Sequence, residues 1–367
     1  MGAGHDMMNK VWQERPLIAV LVALLLERSP LGAMMPGGAG MVLSFIILFG
    51  AMIWGAAGVV RHAEAVAERL GEPFGTLILT LAVVSIEVAL IASVMLSGEG
   101  SPTLARDTMF AVLMIVLNGL VGLSLLLGAL RFGEQNYNFA GAGSFLIVIV
   151  PFAVLSLVLP AYTTSTFAPS FSEFQSLFFL IVTLALYGVF LSIQTVRHRG
   201  FFVEPEEPDT GDERHAEYPT LVHVGLLLAT LIPIVLLSKP LAKLVDHGIG
   251  AVGLPSALGG VVIATIVLAA EGLSAVRAAL RNRLQRAVNL LLGAALSTIG
   301  MTVPAVLAIG VFTGQAVVLG LPPAQQVVLA LSLLAAIQTF GARRTNVLHG
   351  AVHLVIFAAY IALIFAP

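Results

Sequence analysis

Two carboxylates stand where a membrane span should hold none. Glu87 lies near the middle of "GTLILTLAVVSIEVALIASVML", residues 75–96, and Glu271 ends "GGVVIATIVLAAE", residues 259–271. In both runs a glycine, Gly75 or Gly259, is followed by eleven residues that are almost all apolar or small, and then by the acid. A carboxylate at the centre of a bilayer is costly, and acids found there mark ion or proton paths. Two of them close together in a low dielectric cannot both stay ionised and empty: they bind protons, or they surround a cation. Protons and cation then compete for one site. If only the loaded or the protonated form can pass between the two faces, the expected outcome is coupled exchange by alternating access. No other acid lies so deep; Glu72, Asp107 and Glu173 fall at the starts of apolar runs, where water and helix N-termini tolerate charge.

The elements that must carry these acids are membrane helices. Of the 367 residues, 58% are hydrophobic and only 10% charged, which excludes a soluble globular domain of this size. Apolar stretches long enough to span recur near 16–35, 41–61, 74–97, 107–130, 141–161, 172–196, 219–238, 255–276, 285–313, 324–341 and 346–366. The first has signal-peptide proportions, but "ERSP" offers no small-residue cleavage site, so it is expected to remain as a helix. With the N-terminus inside, the inner segments hold all of the 18 Lys and Arg except Arg28, Arg106, Lys239 and Lys243. The positive-inside rule therefore predicts a cytoplasmic N-terminus and an external C-terminus. With no cysteine, disulfides, thiolate metal sites and cysteine catalysis are excluded. No phosphate-binding loop, catalytic-triad spacing or basic stripe for nucleic acid is present, so no resident cofactor is expected, and the partners are the bilayer and the transported ions.

The longest polar segment, "RHRGFFVEPEEPDTGDERHAEYPT" at 197–220, reads as a solvated acidic cytoplasmic linker. It divides the chain into a segment 1–40 with the first helix, a five-helix stretch 41–196, the linker core 197–218, and a second five-helix stretch 219–367. An odd number of spans per repeat forces the two copies into opposite orientations. The expected fold is all-α, with about eleven transmembrane helices: one N-terminal helix and two inverted five-helix repeats. Gly75 then starts on the inner side and Gly259 on the outer, and twelve residues of helix rise about 18 Å, so Glu87 and Glu271 are expected to meet near the midplane. The following helices correspond too: "LNGLVGLSLLLGALRF" from Leu117 and "LSTIGMTVPAVLAIGVF" from Leu296 make Asn118 equivalent to Ser297, with Thr298 beside it. Two carboxylates, the Asn118 amide, the Ser297 and Thr298 hydroxyls, main-chain carbonyls and water make a hard oxygen shell that suits calcium and is acceptable to sodium or potassium. Glu72 and Asp107 are candidate acids for the inner and outer approaches to the site, the latter reading first as a helix first-turn charge. His349 and His353 share one helix face at a zinc-ligand spacing but lack a third ligand.

These residues resemble the calcium/cation antiporter superfamily, specifically the calcium/proton exchanger family and its bacterial ChaA-type branch. "AEGLSAVRAALRNRLQRAVNLLLGAALSTIGMTVP", 270–304, looks like the family's second α-repeat. "YGVFLSIQTVRHRGFF", 187–202, is similar to its sixth-helix ending, and "RTNVLHG", 344–350, to the start of its last helix. The resemblance implies that Glu87 and Glu271 bind cation and proton, that Asn118 is the Asn of the first partner helix, and that Ser297 stands where many members have Gln. It also implies residence in a bacterial inner membrane and the export of cytoplasmic calcium against entering protons. The flanks depart from the general pattern: "AVVSIEV" and "VLAAEGL" lack its Asn residues, and Gly272 replaces its His. With fewer side-chain ligands, the branch's wider range of sodium, potassium and calcium is expected. The rival readings are a monovalent cation/proton antiporter that does not move calcium, a cation channel, and an intramembrane hydrolase, the last disfavoured because no aspartate pair is present.

Overall fold

The computed structural model describes residues 14–29, 38–70, 74–96, 102–202, 218–255, 257–315 and 317–366. Glu72 and the linker residues 203–217 lie outside them. The fold is nearly all helix, because a backbone in hydrocarbon must satisfy its own hydrogen bonds. In chain order the helices are α1 Arg15–Arg28, α2 Gly38–Leu70, α3 Phe74–Leu96, α4 Leu104–Phe132, α5 Phe139–Ala161, α6 Glu173–Arg197, α7 Thr220–Val252, α8 Ala257–Leu280, α9 Leu284–Thr313, α10 Pro323–Gly341 and α11 Val347–Phe365. Among the described residues, eight of these (α2, α4 to α7 and α9 to α11) are long and apolar enough to cross a bilayer. The two arms of α8, 257–269 and 271–280, bend by 56° and make a ninth if taken as one span.

Two helices outrun their expected ends. Both α2 and α7 have 33 residues, α2 reaching Leu70 instead of 61 and α7 reaching Val252 instead of 238. At about 50 Å each, they exceed a hydrocarbon core of about 30 Å. Hydropathy marks where apolar residues end, whereas the more polar stretches Arg61 to Arg69 and Lys239 to His247 carry the helix onward, the second in spite of Pro240.

The chain forms two compact units, each assembled from separated stretches: α1, α2, α3 and α7 in the first, and α4 to α6 with α8 to α11 in the second. In the first unit α2 packs along α7 and α3, and α1 lies against α2 and α7. Gly58 lets the α1 start come close: a Cβ there would stand 2.8 Å from Pro16. Lipid offers no hydrophobic drive between helices, so small residues that allow close approach do much of the joining.

In the second unit α4 is the central helix. Gly260 of α8 rides on the main chain at Asp107, and Gly350 of α11 meets that of α4, where a Cβ would lie 2.5 Å from Leu126 N and 2.8 Å from the Gly122 oxygen. Met109, Leu113, Leu117, Leu125, Phe145 and Ile149 are fully or almost fully buried in this core, while Ile147 and Leu348 face outward. Four turns widen to π geometry: Ile115–Leu120 in α4, Val154–Val158 in α5, Ile193–Arg197 in α6 and Thr298–Thr302 in α9.

One end of the second unit is tied by its turns. Short strands β1 Gln135–Asn136 and β2 Arg344–Thr345 pair antiparallel, with Gln135 opposite Thr345 and Asn136 opposite Arg344. The pattern Phe-Gly, four residues, Asn occurs at both turns, 132–138 and 340–346, and Asn138 and Asn346 each accept two main-chain N–H groups to cap α5 and α11. Gln135 reaches the α8–α9 turn, donating to the Ala279 carbonyl and to Asn282 Oδ1, both at 3.0 Å. Asn282 takes φ 61, a left-handed conformation that asparagine accepts more readily than most residues.

Gly350→Ala should lower the unfolding temperature in detergent, with about 2 kcal/mol lost to overpacking, whereas Gly143→Ala, whose Cβ enters open space, should leave it unchanged. Equal stability of the two variants by thermal-shift measurement would refute the close α4–α11 crossing.

Candidate functional site

The sequence-derived site residues divide between the units. Glu87 belongs to the first, on α3, with only 1% of its surface exposed, and its neighbours Ile86, Leu90 and Ile91 are buried with it. Glu271, Asn118, Ser297, Thr298 and Asp107 belong to the second unit. Glu271 is half-buried and stands where the two arms of α8 diverge. Glu72 lies outside the described residues.

Asn118 sits inside the π-turn of α4 with no exposed surface. That turn is touched by α8, α9, α10 and α11, so it is the common neighbour of the helix bearing Glu271 and the helix bearing Ser297 and Thr298. The counterpart on α9 is similar: Ser297 closes the α-helical part, donating to the Ala294 carbonyl at 3.1 Å, and Thr298 opens the π-turn. Both are buried, as is Thr302 at the turn's other end. Residues matched in sequence as Asn118 and Ser297 thus fall in or beside a π-turn in both helices. Such turns add a residue to the helix and re-aim the side chains around it, and they occur frequently at functional sites.

Asp107 has structural partners. It accepts from Thr103 Oγ1 at 2.9 Å and from Arg106 Nε at 2.8 Å, and Arg106 also reaches the Gly320 carbonyl at 3.2 Å. Its place in the first turn of α4 is the N-terminal charge position that the sequence suggested. The histidine pair on α11 divides: His349 binds Asn346 at the helix start, and His353 turns into the core. Among the described residues no three His, Asp or Glu side chains are grouped to hold a metal.

Two polar clusters were not apparent from the sequence. In the second unit, the Asn118 amide donates to Ser332 Oγ of α10 at 2.8 Å, and its Oδ1 lies 3.3 Å from Nδ1 of His353 on α11. Nε2 of His353 is 3.0 Å from Thr339 Oγ1. The available signal was polar residues within apolar spans, with Ser332 and Thr339 seven apart on one face of α10.

The other cluster joins the starts of α1 and α7 to the interior of α2 in the first unit. Glu14 Oε2 accepts from Arg61 at 2.9 Å and lies 3.0 Å from His62 Nε2, and His62 Nδ1 is 3.0 Å from His223 Nδ1. Separations of 48 and 161 residues left no local pattern to find. Burial alone would raise the Glu14 pKa, but the hydrogen bond with His62 and the charges of Arg61, His62 and His223 outweigh it and hold the carboxyl below its ordinary 4.5.

Comparison with known proteins agrees with the fold. The family model described as sodium/calcium exchanger protein matches residues 40–196 and again 222–366. The chain is 45% identical over 310 residues to a putative ionic transporter, y4hA, of Sinorhizobium fredii, covering 84% of each chain. It is 42% identical over 316 residues to the sodium-potassium/proton antiporter ChaA of Escherichia coli, covering 85% of this chain and 86% of that one. Its fold is similar to the solved structure of native YfkE, with a TM-score of 0.74 and 18% identity over 96% of this chain and all of the other.

A depressed carboxyl stabilises the fold above its unfolded pKa, and that stability is lost as the pH falls through the folded pKa. Glu14→Gln should therefore unfold at a lower temperature than wild type at pH 7, and the gap should close as the pH drops below 4.5. A gap that persists at acid pH in detergent melts would show that the carboxylate charge is not what joins these helices.

Proposed function

The chain belongs to the sodium/calcium exchanger family, and on that footing we propose that it is a secondary antiporter that moves cytoplasmic sodium, potassium and calcium outward in exchange for entering protons. The observation that carries this reading is a carboxylate within an apolar helix of each unit, Glu87 buried on α3 and Glu271 half-buried at the bend of α8. In this reading the two acids bind the cargo together with the Asn118 amide and the Ser297 and Thr298 hydroxyls. When the cation leaves, protons must replace it, because two bare carboxylates are too costly to carry through a low dielectric. No ATP-binding element is needed, since the proton gradient supplies the energy.

Eleven spans in two inverted repeats remain the architecture proposed. The family model's two matches, 40–196 and 222–366, begin and end close to the repeats drawn from the sequence. The first helix of each repeat, α2 and α7, has the same 33-residue length. The β1–β2 pairing requires the α4–α5 and α10–α11 turns to share one face of the membrane. The charge pattern assigns both to the cytoplasm, with the N-terminus inside a bacterial inner membrane.

Oxygen ligands alone do not rank the cargo. The 42% identical relative is named as a sodium-potassium/proton antiporter, and this favours a second reading in which only monovalent ions are moved. Purified protein in liposomes under an imposed proton gradient, given sodium, potassium and calcium one at a time, separates the two. Proton release driven by all three supports the wider range; release by sodium and potassium alone supports the narrower. Cation flux indifferent to the proton gradient would indicate a channel and overturn both. Glu87→Gln and Glu271→Gln should each reduce coupled exchange at least a hundredfold while the protein remains folded, and exchange that survives in both would move the site elsewhere.

A further inference from the structure

With the Asn118 amide nitrogen on Ser332 and its oxygen on His353, the network runs in one direction. An amide oxygen can only accept, so the hydrogen between Asn118 Oδ1 and His353 resides on His353 Nδ1. In the neutral imidazole Nε2 is then an acceptor, and the Thr339 hydroxyl donates to it. At the other end of the amide, Nδ2 donates to Ser332 Oγ at 2.8 Å and approaches Met114 Sδ at 3.6 Å. Ser332 in turn donates to the Val328 carbonyl at 2.7 Å. Four side chains from three helices of one unit therefore form a single ordered series, from Thr339 through His353 and Asn118 to Ser332. His353 has no exposed surface, and Asn118 and Ser332 have none either.

This order decides which end of the amide is offered to an ion. Both Nδ2 hydrogens point at α10 and Met114, and one Oδ1 lone pair is taken by His353. What remains is the second lone pair of an oxygen, a cation ligand. If the amide turned over, the Ser332 hydroxyl could bond its oxygen equally well and the NH2 would take the oxygen's place, presenting hydrogens to a cation. The turned-over amide would need the other neutral tautomer of His353, with Nδ1 accepting and Nε2–H donating to Thr339, so His353 selects between the two orientations through the tautomer it holds.

We propose that His353 is a positioning residue for transport: it fixes the Asn118 amide with its oxygen available to the cargo ion, and so sets cation affinity without touching the ion. This rests on the reading of Asn118 as a cation ligand. In the same liposomes, His353→Leu should raise the apparent KM for sodium, potassium and calcium by about tenfold, the cost expected for one misdirected ligand, with kcat changed by less than about twofold. His353→Asn carries an amide N–H close to where Nδ1 stands and should restore KM. His353→Gln places its amide nearer to Nε2 and should not. Asn118→Ala should raise KM to the same degree, and the Asn118→Ala/His353→Leu double variant should be no worse than Asn118→Ala alone.

Wild-type KM in His353→Gln beside a raised KM in Asn118→Ala would overturn the positioning role and leave Asn118 a ligand. Unchanged KM in Asn118→Ala would overturn both. Equal KM for the Asn and Gln variants at 353 would mean that His353 acts by packing alone, and this comparison holds even if the leucine variant fails to fold.

Discussion

Inside a bilayer a polar side chain has no water to turn to, so whatever is buried must find its partner within the protein, on its own helix or another. Much of the second unit follows from that constraint. Asn118, placed by a π-turn at the centre of α4, is met by Ser332 from α10 and His353 from α11, and His353 is met by Thr339. Each partner must stand at one depth and one rotation of its helix. The network therefore fixes the register of α10 and α11 against α4 in a way that apolar contact, which tolerates sliding, does not. The glycine contact at Gly122 and Gly350 then brings the backbones close enough for the network to form.

The acids show the opposite use of the same constraint. Glu87 is buried on α3 together with Ile86, Leu90 and Ile91, and Glu271 stands at the bend of α8. A group surrounded in this way gains most from a mobile charge that can enter and leave. The structure thus holds two kinds of polarity within its helices: a closed series of neutral groups that gives rigidity, and two carboxylates placed in apolar helices. Asn118 is the residue common to both, since the sequence pairs it with the site while the structure ties it to the network.

The sequence made the helices, their approximate centres and the two acids legible, because hydropathy and charge placement are local properties. Asn118 and Ser297, matched to each other in the sequence, both fall at π-turns that no composition signal announces. What could not be read depends on distance along the chain. His353 is 235 residues from Asn118, and His223 is 161 from His62. The division into two units was equally hidden, since each unit takes helices from both halves of the sequence. Helix ends were misjudged at α2 and α7 because a polar extension continues a helix that hydropathy has already closed.

The strand pair β1–β2 carries a consequence for how the protein is made. Its members come from turns 210 residues apart, and β1 is synthesised long before β2 exists. During that interval α4 and α5 are already inserted, with the edge of their turn open and their caps in place. The first unit also waits, since α7 follows α6 in the chain. Neither unit can close until the ribosome has passed the linker, and the second closes only when the last helix arrives. Premature termination anywhere before β2 would therefore leave the β1 edge unpaired and the Asn118 amide without His353.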